Sequence, residues 1–287
     1  MGRAALHHQP LRPVWAGRIT SAELTRSGPP VVHDFMALGL FTSGSAVVHQ
    51  GHDFEVRAGE VYLVPAGAPH SLIASRAPEA WGAGFSPSCY AATDLATLLD
   101  PFHRAASGAS KVVSISSERQ THLAELFAEL HRETTGGGSG DQVALVERSL
   151  LGLILAEVAR AAQGKGTAIA PAGIVSEALR FIERNCLGPI TLQDVASFVH
   201  RSPSHLSTTV RRATGKSVMA WIISGRLAEA RNRLLHTDEM VDVIAERVGY
   251  ADPTHFIRLF RRAHGSTPSA WRAQQRRDES SRSARHG

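Results

Sequence analysis

Ten polar residues recur in two short, similar stretches of the chain, and their types suit recognition of nucleic acid. Residues 202–215 read SPSHLSTTVRRATG, and residues 252–265 read DPTHFIRLFRRAHG. Arginine binds guanine edges or phosphates through paired N–H groups, and short hydroxyl side chains bind bases or phosphates. The residues predicted to contact duplex DNA are Ser204, His205, Thr208, Arg211, Arg212, Thr254, His255, Arg258, Arg261 and Arg262.

Each stretch carries the start and stop signals of an amphipathic helix. Ser202 and Asp252 can cap the N-terminus, a proline follows each cap, and a glycine ends each stretch. At 100° per residue, apolar residues fall on one face and the arginine and hydroxyl side chains on the other. A second apolar helix precedes each copy. The sequence therefore predicts two helix-turn-helix units, at about residues 191–213 and 240–263.

A helix predicted at residues 217–236 joins the two units. At 1.5 Å per residue it is about 30 Å long, close to one turn of B-DNA at about 34–36 Å. The two reading helices can therefore lie in successive major grooves of one duplex. Arg226 and Arg231 are expected to form salt bridges inside the domain, because Glu229 and Asp238 are near in sequence. Contact with phosphate is the alternative.

Residues 174–272 resemble the C-terminal domain of the AraC/XylS family of bacterial transcription regulators. The resemblance rests on GRLAEARNRLL from Gly225 and IAERVGYADPTHFIRLFRRAHGSTPSAWR from Ile244. It implies a seven-helix domain with two helix-turn-helix units that binds double-stranded promoter DNA, and contact with RNA polymerase if the protein is an activator. Thr208 and Thr209 stand where members often have a basic and an apolar residue, which favours the second unit as the stronger reader of sequence.

Residues 31–85 alternate short apolar runs with glycine and proline, which is typical of a β-rich domain. Residues 59–72 read GEVYLVPAGAPHSL and resemble the second cupin motif, in which a strand returns from a Pro/Gly turn with a histidine. The resemblance implies a cupin-like β-barrel that binds a small-molecule effector. His33 and His70 are the expected effector contacts, although a structural hydrogen bond explains His70 equally well.

No metal site or cofactor is predicted. A metal-dependent cupin needs three or four His and carboxylate ligands, but His33 has no partner two residues on, and His49 and His52 have the wrong spacing. We therefore expect a regulator without enzyme activity. Three alternatives stay open: a metal-dependent cupin enzyme fused to a DNA-binding domain, an alkylation-repair protein with a reactive cysteine, and a regulator whose first domain only dimerises.

A helix predicted from Asp141 to Gln163 carries apolar residues around more than one face, so it needs cover on more than one side. We expect this helix to form a homodimer interface, with packing inside the chain as the alternative. The residues on which this expectation rests are Val143, Val146, Leu150, Leu153, Ile154 and Val158.

Charge divides the chain into two parts. Residues 1–173 have a formal net charge of −2 and residues 174–287 of +7, which fits a polyanionic partner for the second part. The absence of an apolar leader or span and the presence of only two cysteines predict a cytoplasmic protein with reduced thiols and no membrane contact. The predicted fold is a two-domain α+β protein: a cupin-like effector-binding and dimerisation domain at 1–165, a linker at 166–173, an all-α DNA-binding domain at 174–275 and a disordered tail at 276–287.

Overall fold

The computed structural model describes residues 14–19, 30–87, 94–136, 141–163 and 173–283. The described part of the first half contains six strands: β1 (Val14–Ile19), β2 (Met36–His49), β3 (Asp53–Arg57), β4 (Glu60–Val64), β5 (Ser71–Phe85) and β6 (Val112–Ser114). They form one antiparallel sheet in the order β1-β5-β2-β4-β6, with β3 also paired to β2. Within the described residues, no pairing joins the edge strands β1 and β6 into a closed barrel.

The long strands β2 and β5 pair along most of their length, and their register shifts between Phe41 and Val48. Gly44 lies in this irregular part with a φ of +65°, and a side chain there would collide with the Ala77 carbonyl. A bulge of this kind bends a strand and increases its twist. The glycine therefore lets β2 bend while it pairs with β5 along its length, with β4 at one end and with β3 at the other.

Three of the described helices cover the sheet: α1 (Asp100–Ala106), which follows a 3-10 helix at Asp94–Leu99, α2 (Ser117–Thr135) and α3 (Asp141–Gln163). The bounds of α3 are those predicted from the sequence. Leu123, Phe127 and Leu130 of α2 are fully buried, as are Leu151 and Leu155 of α3. The two helices thus pack on each other and on the sheet through the faces that their periodicity indicates.

The second half contains seven described helices: α4 (Ile174–Asn185), α5 (Leu192–Phe198), α6 (Pro203–Thr214), α7 (Val218–His236), α8 (Val241–Arg247), α9 (Pro253–His264) and α10 (Pro268–Ser283). This is the number that the family resemblance implies. The predicted linker lies outside the described residues except for Gly173, the N-cap of α4. None of the described helices is both long and apolar enough to cross a lipid bilayer.

The caps predicted for the two similar helices are present. The Ser202 hydroxyl accepts a hydrogen bond from His205 N, and the Asp252 carboxylate accepts one from Thr254 N. Gly215 (φ +73°) and Gly265 (φ +79°) end α6 and α9 in the left-handed conformation. These signals stop both helices after three turns and set the length of each reading helix.

The tail prediction is wrong over residues 276–283, because α10 continues to Ser283. Buried Trp271 anchors the first turn of this helix, and Arg276 further along forms a salt bridge with Asp238. The following residues are mostly good helix formers, so a helix nucleated at Trp271 can propagate without an apolar face of its own. Residues 284–287 lie outside the described residues.

The hydrophobic cores divide the molecule at a different place from the predicted linker. One core joins a face of the sheet, α1 to α6 and the start of α7 as far as Ile222. Another begins at Leu227 in the same helix and includes α8, α9 and Trp271. The first helix-turn-helix unit therefore shares a core with the sheet domain, whereas the second unit has its own.

Candidate nucleic-acid interface and sensor cavity

All ten predicted contact residues are exposed on α6 and α9. Leu206 and Val210 anchor α6 from below, and Phe256 and Phe260 anchor α9; all four side chains are fully buried. Because the anchors fix the rotation of each helix, the arginine and hydroxyl groups on the opposite face point to solvent. Each helix thus has one buried apolar face and one exposed polar face, as a helix that binds in a DNA groove requires. Contact with DNA stays a prediction.

The arginines of these faces are available for a partner. In the part of the chain that the structure describes, the side chains of Arg211, Arg212, Arg258, Arg261 and Arg262 form no hydrogen bond or salt bridge. By contrast, Arg233 of α7 lies 2.9 Å from Glu229 and 3.2 Å from Glu239. A guanidinium has five N–H donors and no acceptor. The exposed arginines therefore form two unneutralised cationic faces, one on each reading helix.

The reading helices differ in the charge of their caps. Asp252 Oδ1 accepts a hydrogen bond of 2.8 Å from Thr254 N, and this bond lowers the pKa of Asp252. An ionised carboxylate is favourable at a helix N-terminus. The corresponding cap of α6 is the neutral hydroxyl of Ser202. The second unit thus begins with a negative charge and the first does not.

Arg226 and Arg231 of α7 are structural, as expected, but the partners predicted for Arg226 are wrong. Arg226 donates to the carbonyl oxygens of Cys186 and Gly188, both at 2.7 Å. Cys186 is the C-cap of α4, where a helix leaves carbonyls without a partner, and Gly188 lies in the turn that follows. Arg231 is buried, and its Nη1 lies 3.3 Å from His264 Nε2. Acidic residues close in sequence did not indicate these partners, because both side chains contact groups far away in the chain: Arg226 the turn after α4 and Arg231 the end of α9.

The structure brings His33 and His70 together in the wall of a cavity. Their ring centroids are 5.0 Å apart, and the cavity has a volume of about 100 Å³. Among the described residues, no Asp, Glu, Lys or Arg lines it. Large side chains that line the cavity with the two histidines include Trp15, Ile19, Phe41, Val48, Tyr62 and Leu72.

His33 presents a defined hydrogen-bonding pattern. Its ring stacks on Phe35 at 3.9 Å, and its Nδ1 lies 2.7 Å from the Phe35 carbonyl oxygen. Burial, with a smaller contribution from His70, lowers the pKa of His33 to about 3, so the ring is neutral near pH 7. Because a carbonyl only accepts, Nδ1 carries the proton and Nε2 is an acceptor. Within the described residues, Nε2 has no hydrogen-bond partner.

Trp15 and Tyr62 are cavity residues that sequence reasoning missed. Gly82 and Gly84 of β5 make room for β1, because a Cβ on either glycine would collide with Ile19 or Trp15. The Tyr62 hydroxyl donates to Gln50 Oε1 at 2.9 Å, and burial raises the Tyr62 pKa. The WGAGF alternation in β5 was a usable signal, since two glycines on one strand face leave space for a large side chain.

A larger cavity of about 320 Å³ lies between the sheet domain and α4, with Ala213 of α6 at its edge. His103 Nε2 and Glu183 Oε2 face each other across this boundary at 3.0 Å, and both side chains are largely buried. Lys111 and Gln50 also line it. Size alone therefore does not favour the cavity at His33. The cavity at His33 is favoured by its enclosure by strand side chains and by the Nε2 acceptor of His33.

Comparison with known sequences identifies both halves. Residues 18–154 match the profile of an AraC-like ligand binding domain, and residues 195–274 match that of a helix-turn-helix domain. The chain belongs to the AraC family.

Curated relatives include the transcriptional activator NphR of Rhodococcus sp, 39% identical over 34% of this chain and 29% of that protein. The arabinose operon regulatory protein of Escherichia coli is 32% identical over 34% of each chain. A bifunctional transcriptional activator and DNA repair enzyme of Bacillus subtilis, AdaA, is 30% identical over 34% of this chain and 47% of that protein. The chain thus spans less than half the length of each of these relatives.

Among solved structures, the AraC-like transcriptional activator CuxR aligns over 77% of this chain and 74% of its own, with 20% identity and a TM-score of 0.44. The DNA-binding domain of AdpA, solved in complex with a target DNA, aligns over 37% of this chain and 91% of its own. Its identity is 28% and its TM-score 0.33.

The described residues offer little to the enzyme alternatives. No group of three or more His, Cys, Asp or Glu among them is arranged to hold a metal ion. Cys186 is fully buried, and burial raises the pKa of its thiol to about 12. A thiol of this kind is a poor nucleophile, since the thiolate is the reactive form. Cys89 lies outside the described residues.

Proposed function

We propose that this AraC-family protein is a transcription regulator that binds promoter DNA and responds to a small molecule in its first domain. The observation that carries the proposal is the pair of exposed, unneutralised faces on α6 and α9, each held by two buried anchors. Arginines on such faces bind guanine edges and phosphates. As a DNA-binding regulator it works in the cytoplasm, without enzyme activity, and it contacts RNA polymerase if it activates transcription.

Selection of bound duplexes from a random-sequence pool tests this function. We expect enrichment of a site with two short elements about one helical turn apart, since α7 spaces the reading helices by roughly that length. Affinity for the selected duplex should fall steeply with salt concentration. A pool that shows no enrichment, together with binding that salt does not affect, would refute the proposal.

The cavity at His33 and His70, inside a cupin-like sensor domain, is the proposed effector site. Its volume of about 100 Å³ admits only a small molecule, since an engineered apolar cavity of about 150 Å³ holds benzene. The lining is mainly apolar, and Nε2 of neutral His33 accepts a hydrogen bond. The effector that fits is small, uncharged and mainly apolar, with one hydroxyl or N–H donor.

Thermal unfolding of the full chain with simple probes tests the site. Pyrrole, a five-membered ring smaller than benzene with an N–H donor, should raise Tm more than furan, which lacks the donor, and acetate should have no effect because it is charged. A probe present at 100 times its Kd stabilises the folded chain by about 2.7 kcal/mol. His33→Phe should abolish the difference between pyrrole and furan. Ala106→Leu, in the larger cavity between the domains, is the matched control and should leave it unchanged; the opposite pattern would move the site there.

Only some of the apolar residues of α3 are exposed and available for a homodimer interface. Ile154 and Val158 of α3 are fully buried within their own chain, so they are unavailable to a partner subunit. Leu145, Val146 and Leu153 are exposed and lie on one side of α3. An exposed apolar stripe on a helix suits a subunit interface. We therefore assign the homodimer contact to this stripe.

Sedimentation of the full chain tests the dimer. Leu153→Glu, which introduces a charge at the stripe, should convert a dimer at tens of micromolar into a monomer with unchanged circular dichroism. Arg148→Glu, also exposed on α3, controls for the added negative charge. A wild-type monomer, or a dimer that survives Leu153→Glu, would overturn the assignment.

A further inference from the structure

The first domain places one acidic side chain, Asp34, against the helix that joins the two DNA-reading units. Asp34 Oδ2 accepts a hydrogen bond of 2.8 Å from Ser224 Oγ and lies 3.1 Å from Lys216 Nζ. The Asp34 side chain is only 14% exposed. This carboxylate thus forms a shielded polar contact that links the sensor domain to α7.

The cations that act on Asp34 are Lys216, which precedes α7, and buried Arg231, two turns after Ser224. Arg231 also contacts His264 at the end of α9, whose ring is neutral because burial lowers its pKa to about 4. Burial tends to raise the pKa of Asp34, but Lys216, Ser224 and Arg231 outweigh it and hold the pKa below its ordinary value. The carboxylate is therefore ionised. Without it, Lys216 would lose its carboxylate partner in a partly dry place, which is destabilising.

Ser224 also lies where the two hydrophobic cores meet. Ile222 belongs to the core that the sensor shares with the first unit, and Leu227 belongs to the core of the second unit. Between them, Gly225 follows Ser224 inside a helix, where glycine is unfavourable. Helices commonly kink at such Gly/Ser pairs. The Asp34 contact is therefore made at the position where α7 is most easily bent.

The same contact adjoins the proposed effector cavity. Asp34 follows His33 directly, and the His33 carbonyl accepts a hydrogen bond of 2.9 Å from Gly67 N. Gly67 (φ +77°) packs so closely against the DNA-binding domain that a Cβ would lie 2.9 Å from Leu179 and 3.1 Å from Trp221. The segments that carry both histidines thus also touch α4 and α7.

We propose that Asp34 is a lock through which the sensor domain sets the angle between the two DNA-reading units. With Asp34 in place, α7 is held at Ser224, and α6 and α9 keep one relative orientation. When Asp34 is displaced, α7 bends at Ser224–Gly225 and the second unit moves as a body around its own core. Glu147 of α3, which lies 3.8 Å from His236 near the far end of α7, limits the range of that movement.

Control of this lock by an effector rests on the proposed function, because the cavity and the lock are connected through the backbone between His33 and Asp34. A molecule that binds His33 Nε2 acts on the backbone that carries Asp34. The lock itself is a property of the full chain and can be tested without an effector.

Distance measurement between the two reading helices tests the lock. Thr208→Cys and Arg258→Cys carry spin labels in a Cys89→Ser background, in which buried Cys186 stays unlabelled. Pulsed electron paramagnetic resonance on the full chain should give one narrow distance distribution. Asp34→Ala should broaden or shift it by several ångströms. Asp53→Asn, which removes a sensor carboxylate paired with His49, is the control and should leave the distribution narrow.

Lys216→Met removes the salt-bridge partner of Asp34 in the DNA-binding domain and should broaden the distance distribution in the same way. If Asp34→Ala does not fold, as judged by circular dichroism, Lys216→Met decides the question. A distribution identical to wild type in the folded variant would overturn the lock. Binding of Asp34→Ala, without labels, to a mixed-sequence duplex should stay within about twofold of wild type, because the exposed arginines are intact. Failure of wild type to bind any duplex would refute the proposed function without affecting the distance result.

Discussion

The two helix-turn-helix units have nearly the same local design but different surroundings. In the first, α6 rests on Leu206 and Val210, which belong to a core shared with the sheet domain. In the second, α9 rests on Phe256 and Phe260 in a separate core. The exposed faces also differ, since Arg258 of the second unit corresponds to Thr208 of the first. We infer that the sensor holds the first unit in place, and that the second contributes more to reading sequence.

The largest expected difference between the units is in stability. Phe260→Ala should cost about 3–5 kcal/mol and unfold the second unit while the sensor stays folded, because Phe260 lies in a separate core. Val210→Ala, at the matching position, should cost about 2 kcal/mol and weaken the sensor and first unit together. Hydrogen exchange measures both effects. Equal loss of protection in the sensor for Phe260→Ala would show that the cores are not separate.

The next difference is in sequence reading. Arg258→Ala should reduce affinity for the selected duplex by about 1–3 kcal/mol, roughly fivefold to more than a hundredfold, and have little effect on a scrambled duplex. Thr208→Ala should lose less, because a threonine contact discriminates bases more weakly than an arginine fork. Titrations of both duplexes at two salt concentrations measure this.

Arg262→Ala is the matched control for sequence reading. It should weaken binding to both duplexes alike and reduce the salt slope by about one ion. Equal losses on both duplexes for Arg258→Ala would instead place Arg258 on the phosphate backbone and remove the asymmetry between the units.

The smallest expected difference concerns the caps. The pKa of Asp252 is lowered from its ordinary value of 3.8 by the hydrogen bond from Thr254 N. Its stabilisation is therefore complete above that value and lost as the pH falls through the lower, folded-state pKa. Asp252→Ser should make the second unit less sensitive to acid. Ser202→Asp should give the first unit a similar sensitivity. Tm measured from pH 7 to pH 3 would reveal either change, and parallel curves for Asp252→Ser and wild type would contradict it.

The helical repeat shows how much local sequence decides. The caps at Ser202 and Asp252, the terminal glycines and the apolar anchors all lie within one helix, so their spacing predicted both reading helices and their exposed faces. The bounds of α3 were likewise predictable, because they depend on a continuous periodic pattern. A motif indicated His33 and His70, and the segments that precede β2 and β5 bring their ring centroids to 5.0 Å.

Tertiary structure decided which of several possible surfaces covers each helix. An apolar pattern does not tell whether Ile154 or Leu153 of α3 meets the sheet or solvent, because both lie on faces that are equally hydrophobic. The partners of Arg226 and the contact of Asp34 with Ser224 depend on residues far apart in the chain, so no local spacing reveals them. The sequence by itself determined two DNA-reading helices and a histidine-bearing β domain. Only the packing of that domain against α7 decided that the first unit shares its core and that Asp34 reaches the connecting helix.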